Sequence, residues 1–427
     1  MKKLLAIVIG VPVLLIVVFF IWLSSASSDI DLPDVTDLMP ERVAVADRDN
    51  AYTYFTQAAA AADWPEDDTK LLQILNGEIT DSRYVADILG RNQRAMTLLR
   101  RGLECNVCQM PEGHLVDDPA DYISSWRTLS RLLLLTAVNA QETKRWEEAT
   151  VACADLLKMG NLITRNAGGF TQYLVGLAFI DQGLAQTRKL ANSPGMPADQ
   201  LRALSDALAD IDLLDRGLAT AIKAEYLIHA NTLDAIAEGK PVFPEDESID
   251  LSDVRVGYMF QPNRTKAMFA DAFRTMLDNA PLAVSERSLE EPEEGGAATV
   301  LSPNGVGKIL YSLSVPCEMA VLEASARREG DVAATRLIVA CRRYEKDHGE
   351  LPPTLDALVP KYIDAVPRDP FDGKPMRYDH DRAIIYSVGK DLIDQGGAKP
   401  PTDNSSNEKA DRWEAKDAVF EIGSREK

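Results

Sequence analysis

Residues 128–160 read TLSRLLLLTAVNAQETKRWEEATVACADLLKMG, and their spacing decides the fold class. Apolar or small side chains recur at Leu129, Leu132, Leu133, Thr136, Ala137 and Ala140, steps of three and four that place them on one face of a helix. The pattern resumes at Ala149, Ala152, Cys153, Leu156, Leu157 and Gly160. Between the two runs ETKRWEE is short and polar, so an antiparallel helical hairpin is expected.

Outward from this hairpin the pattern stays helical from residue 45 to about 235, through RNQRAMTLLRRGLE, TQYLVGLAFIDQGLAQTRKLA, PADQLRALSDALADI with Pro197 near its start, and LATAIKAEYLIHANTLDAIAEG. These apolar stripes read as core packing. Residues 239–256 form an exposed, proline-bearing acidic excursion, a helix resumes at RTKAMFADAFRTMLDNA, and SERSLEEPEEGGAATVLSPNG is a second acidic loop. The turn of the hairpin followed by EEA resembles a tetratricopeptide unit. Its 34-residue period does not recur, so an array is not expected.

The composition, 46% hydrophobic and 26% charged over 427 residues, suits two or three globular domains. A net charge of -20 and scarce Lys/Arg clusters argue against a nucleic-acid or anionic-lipid partner. Lys2 and Lys3 precede LLAIVIGVPVLLIVVFFIWL, residues 4–23, about the 20 apolar residues that cross a bilayer as a helix. Its length favours an anchor over a signal peptide cleaved after Ala26. With Asp29, Asp31, Asp34 and Asp37 on the far side, the N-terminus is expected in the cytoplasm and the bulk of the chain outside it. No second run reads as long and apolar enough to span.

Five cysteines, at 105, 108, 153, 317 and 341, are too few for a disulfide framework. ECNVCQM follows a helical run instead of preceding one, and only His114 lies near as a further zinc ligand, so a structural disulfide or inert thiols are expected ahead of a redox or metal role. SPNGVGKI, residues 302–309, imitates a P-loop. However, Ser302 replaces the first glycine and Ile309 the magnesium-binding hydroxyl, so no nucleotide is expected and the segment reads as a turn opening a helix.

After Gly330 comes the helix VAATRLIVACRRYEKDHG, then ELPPTLDALVPKYIDAVPRDPFDGKPMRYDHDRAIIYSVGKDLIDQGG. Asp369-Pro370 and Asp372-Gly373 are turn pairs, and PMRYD and AIIYSV are strand-prone, so a small hairpin on the helix is expected. Tyr344, Gly349, Pro352, Asp369, Pro370, Phe371, Gly373, Ser387, Gly389 and Asp391 fall in an order that resembles the C-terminal domain of the type II secretion major pseudopilin. The prepilin motif of that family is missing from residues 1–25, so filament assembly is not implied. The resemblance does imply calcium at the loop after Ser387, with Asp391 at the family position, Asp394 as a neighbouring acid and Asp403, Asp411 and Asp417 as further acids. It fixes too few oxygen ligands, so a solvated acidic loop is expected ahead of a structural cation. The whole arrangement resembles membrane-anchored bacterial envelope proteins of uncharacterised activity.

The expected organisation is mainly α: a transmembrane anchor over 1–27, an extracytoplasmic helical domain over 28–330 with a tetratricopeptide-like hairpin, and over 331–427 an α+β pseudopilin-like module with a short antiparallel sheet and a flexible acidic tail. The function this suggests is a non-catalytic scaffold of the bacterial inner membrane, held in the bilayer by residues 4–23, with its bulk in the periplasm and a protein partner in the envelope. A divergent component of a type II secretion or pilus-like system is the alternative. An envelope hydrolase is a weaker one, because His114, His229, His348 and His380 stand in unrelated local contexts and no G-x-S-x-G or H-E-x-x-H occurs.

Overall fold

The computed structural model describes residues 26–41, 43–111, 113–116, 121–211, 217–242, 251, 254–288, 299, 301–398, 412–414 and 416–423. The apolar run at 4–23 lies outside them, as do Asp403 and Asp411 of the acidic tail.

The described residues form eleven α-helices and one small sheet. Four short helices come first: α1 (Ala51–Ala60), α2 (Thr69–Asn76), α3 (Ser82–Arg91) and α4 (Gln93–Leu103). The hairpin follows as α5 (Asp121–Glu142) and α6 (Trp146–Arg165). Its turn closes through Lys144 at φ 56°, with the Arg145 N–H reaching back to the Ala140 carbonyl at 2.8 Å. Next come α7 (Phe170–Ala191), α8 (Ala198–Ala209), α9 (Gly217–Ala237), α10 (Pro262–Asn279) and α11 (Gly305–His348).

Helices α6 and α7 meet backbone to backbone because the crossing is lined with glycine. A Cβ on Gly160 would lie 2.7 Å from the Gly176 carbonyl oxygen, and one on Gly176 would lie 2.6 Å from Thr164 Cγ2. One core, around Phe55, Ile88, Leu99 and Trp126, joins α1–α6 with Phe179 of α7; a second, around Tyr173, Leu204, Tyr226, Phe273 and Leu322, joins α7–α11 with the other face of α5 and α6.

The two helices expected on either side of Gly330 are one 44-residue helix. Glycine costs about 1 kcal/mol relative to alanine inside a helix. Here the missing Cβ is filled by the Trp413 indole, whose Cη2 would be 2.5 Å from it. Helix α11 begins at Asn304, which takes the left-handed conformation at φ 58°, and ends against Gly349 at φ 84°. By length and composition alone α11 could also cross a membrane, contrary to the expectation of no second such run. It packs on α7, α8 and α10, with 33% of its most apolar stretch buried.

The sheet has the order β1-β2-β3, antiparallel throughout, from β1 (Arg377–Asp379), β2 (Ile384–Ser387) and β3 (Ala418–Glu421). The hairpin of β1 and β2 follows the expected runs. Strand β3 follows directly on the tail expected to be flexible, residues 398–417, in which Trp413 lies. All four residues of β2 are buried, so its second edge needs a partner for its backbone groups, and β3 supplies it. Trp413 and Phe420 join Leu337, Ile338, Phe371 and Ile385 in a third core.

Candidate functional site

The module is joined to the helical bundle through buried charge. Asp331 of α11, 3% exposed, receives the Trp413 indole N–H at 3.1 Å and Arg328 Nη1 at 3.1 Å, and lies 3.4 Å from Arg188 Nη1 of α7. Arg188 also donates to Thr335 Oγ1 at 2.8 Å and covers the Phe420 ring. Burial lowers the Arg188 guanidinium to about 10, opposed by the Asp331 charge. A buried ion pair contributes little net stability when intact but is costly to break, because one partner is left as a lone buried charge. Asn192, at the end of α7, adds bonds to the Glu421 carbonyl and the Gly423 N–H. Three elements distant in sequence are thereby held in one register.

From this joint the module projects the loop Gly389–Ala398. At its base the Asp369 carboxylate accepts from Phe371 N–H, Ser387 Oγ and Val388 N–H at 2.8–3.0 Å, and Arg377 closes the group at 2.6 Å. Burial pushes the Asp369 carboxyl up, while these donors pull it down. Along the loop Asp391 accepts from Ile393 N–H at 3.0 Å and Gln395 Nε2 at 2.8 Å, and Asp394 accepts from Gly396 N–H at 2.9 Å. Asp417, just before β3, accepts from Gly397 N–H at 2.7 Å, and Lys390 reaches Glu323 on α11 at 3.1 Å. Between these ties the chain turns through Leu392 at φ 60°, a conformation costing a non-glycine residue about 1–2 kcal/mol. Leu392 and Ile393 are 40% and 60% exposed at the tip.

Asp391 and Asp394 thus share one loop, with Asp417 beside it. Their oxygens face N–H donors, and Asp394 also lies 3.5 Å from the Arg377 guanidinium, a positive group where calcium would need only oxygens. Gln395 Oε1 is a buried acceptor without a partner, but among the described residues no three His, Cys, Asp or Glu side chains gather to hold a metal ion. As arranged, the donor set does not fit a calcium cage.

A second cluster escaped the sequence reading, although the four-residue step from Glu225 to His229 was a signal for half of it. His229 Nε2 contacts Glu318 Oε1 of α11 and lies 3.9 Å from Glu225 Oε1. The imidazole stacks on Phe269 with centroids 4.7 Å apart, and Glu225 Oε2 accepts from Phe170 N–H at 2.7 Å. Burial depresses the His229 pKa, but the hydrogen bond to Glu318 and the two carboxylate charges outweigh it and raise it. Burial also raises the Glu225 carboxyl. A histidine between two glutamates is the composition of an acid–base site, and it is the best candidate for the hydrolase reading. Its Nε2 faces Glu318 and its ring faces Phe269, which makes the group a tie between α9, α10 and α11.

The P-loop imitation is a clasp. Asn304 N–H donates to the Tyr258 carbonyl at 2.7 Å and Val306 N–H to the Met259 carbonyl at 2.9 Å, so these amides face protein and not a phosphate. A Cβ on Gly307 would sit 2.0 Å from Thr265 Oγ1, and Lys308, half-buried, donates to Ser302 Oγ at 2.9 Å. All five cysteines are free. Burial pushes the Cys153 and Cys341 thiols up to about 12 and raises Cys108 further, the reverse of what a redox thiolate needs.

Comparison with family models, curated proteins and solved structures finds no match to this chain.

Proposed function

We propose that this protein is a membrane-anchored, non-catalytic scaffold of the bacterial envelope that presents the Leu392–Ile393 tip of its C-terminal module to a protein partner. The observation that carries this reading is the tip itself: two large apolar side chains exposed on a loop whose backbone is tied by three aspartates. Exposed apolar anchors on a preorganised loop lose little freedom on docking, which favours affinity. Helix α11 supports it as an arm. From Gly305 to Gly330 it rises about 40 Å at 1.5 Å per residue, and the Arg188–Asp331–Trp413 joint fixes the module along it.

A place in a type II secretion or pilus-like system is the second reading. It is favoured by the convergence of Asp369, Phe371, Ser387 and Gly389, four of the residues behind the pseudopilin resemblance, in one bonded group. Both readings are tested by crosslinking the full-length protein in membranes of its own host, beside a Leu392→Asp/Ile393→Asp variant of unchanged abundance and melting behaviour. Selective loss of one crosslinked species in the variant supports presentation by the tip, and a secretion or pilus subunit in that species supports the second reading. The same species recovered equally from both proteins would overturn the assignment.

A further inference from the structure

The chain leaves the apolar run at 4–23 and lands on one edge of the helical bundle. Gln261 Nε2 donates to the Ala26 carbonyl at 2.6 Å, and the Asp29 carboxylate accepts from Asn263 and Arg264 N–H at 2.8 and 3.0 Å. Asn263 Nδ2 adds a bond to the Ile30 carbonyl at 2.9 Å. The same short segment, residues 257–264, clasps the start of α11 through the Tyr258 and Met259 carbonyls, and Tyr258 Oη donates to the Leu301 carbonyl at 3.2 Å. The landing point and the first turns of α11 are therefore one piece of surface.

That surface is apolar where it meets solvent. Leu301 is 75% exposed and Leu313 68%, with Val256, Met259, Ile30 and Leu32 exposed around the landing point. On α11, Val306, Ile309, Leu313 and Cys317 follow at helical spacing along the outward side, none of them fully buried. In the landing segment itself Asp29 is held by backbone amides and Asp31 is exposed, but the two stretches it meets are free of acids. Residues 254–270 and 295–317 contain no Asp or Glu, where about six of the chain's 66 would fall if spread evenly. Arg255 and Arg264 are exposed in the first of these stretches, and Lys308 is half-exposed in the second.

We infer that this edge rests on the bilayer: Leu301, Leu313 and Met259 enter the headgroup region of the leaflet that residues 4–23 leave, with Arg255, Arg264 and Lys308 among the phosphates and Tyr258 at the boundary. The inference rests on the anchored reading of the N-terminus. An amphipathic surface of this kind buries its apolar side about 5–10 Å into the interface. Tyrosine is favoured at both bilayer interfaces, and long basic side chains reach the headgroups while their stems stay apolar. The landing segment is bonded directly to residues 26–30, and only residues 24 and 25 separate these from the apolar run, a reach of about 10 Å even when extended. The consequence is that α11 starts at the membrane and carries the module away from it.

The test uses the full-length protein reconstituted in phosphatidylethanolamine–phosphatidylglycerol vesicles, in a Cys105→Ser/Cys317→Ser background. Single Leu301→Cys, Leu313→Cys and His380→Cys variants carry an environment-sensitive fluorophore, quenched either by lipid-borne nitroxide or by aqueous iodide. Positions 301 and 313 are expected to be quenched several-fold more by the lipid nitroxide than position 380, with the opposite order for iodide. Equal behaviour at all three positions in protein that floats with the vesicles would overturn the inference and leave the anchor standing. Shielding of 301 and 313 from both quenchers would overturn it in favour of a protein contact, and failure to float would overturn the anchor and the inference together.

Discussion

Replacing Gly330 with alanine separates the helix seen in isolation from the helix in its fold. For an isolated helix, Gly330→Ala is a gain of about 1 kcal/mol, because alanine loses less backbone freedom. In the folded protein the new methyl would lie 2.5 Å from Trp413 Cη2 and 3.0 Å from Cζ2. The indole cannot step aside cheaply: it stacks on Phe371 with centroids 5.2 Å apart, and its Nε1–H donates to the buried Asp331 carboxylate. Overpacking of this kind costs about 1–3 kcal/mol, and losing one donor to a buried carboxylate about 1–3 more. After the propensity gain, a net loss of about 1–5 kcal/mol is expected. The assay is urea denaturation of the full-length protein in detergent, read by tryptophan fluorescence and circular dichroism, on Gly330→Ala, Trp413→Ala and the double variant. Trp413→Ala alone should cost about 3–5 kcal/mol, and in its background Gly330→Ala should become favourable by up to about 1 kcal/mol. A Gly330→Ala variant that is stabilised equally in both backgrounds would refute the docking of the tail on α11.

The α6–α7 crossing predicts that Gly160→Ala destabilises by about 1–3 kcal/mol, since its methyl would meet the Gly176 carbonyl at 2.7 Å and backbone cannot yield. Gly90→Ala, on the exposed side of α3 with open space around it, should instead stabilise by about 0.5–1 kcal/mol, and equal effects in thermal melts would contradict the crossing. The raised pKa of His229 means its contribution is fully present below about 6.5 and is lost as pH rises through the folded value. The stability gap between wild type and His229→Asn should therefore narrow from pH 6 to alkaline pH; a gap that is flat or widens would show that Glu318 and Glu225 do not hold the imidazolium. At the loop, millimolar calcium should leave the melting temperature unchanged, because N–H donors and Arg377 already engage Asp391, Asp394 and Asp417. A rise abolished by Asp391→Ala would restore the calcium expected from the pseudopilin resemblance.

Much of the helical architecture was legible in the residues because its cause is local. Steps of three and four apolar residues set the α5–α6 hairpin and placed α7, α8, α9 and α10 close to their observed ranges. Turn pairs at Asp369 and Asp372 and the strand-prone runs PMRYD and AIIYSV did the same for β1 and β2. What misled the reading were residues whose local preference is overruled at a distance. Gly330 looks like a helix stop until Trp413, 83 positions later, fills the space over it. The four residues of β3, AVFE, follow an acidic, polar stretch and are too short to stand out, and they pair because β2 is buried and has an edge to complete.

The candidate sites divide in the same way. The residue types at Asp391, Asp394 and SPNGVGKI suggested a cation and a phosphate, but what those groups can hold depends on which atoms face them. Arg377 and backbone amides meet the acids, and the Tyr258 and Met259 carbonyls take the amides of the P-loop imitation. His229 and Glu318 lie 89 positions apart, with no pattern linking them before α9 and α11 pack. The sequence by itself determined the helix periods, the net acidity and the apolar run at 4–23, since those depend on neighbours along the chain. Tertiary structure alone decided which buried charges pair, which tail residues fold and where the exposed apolar edge lies, because each depends on groups that meet only once the helices are packed.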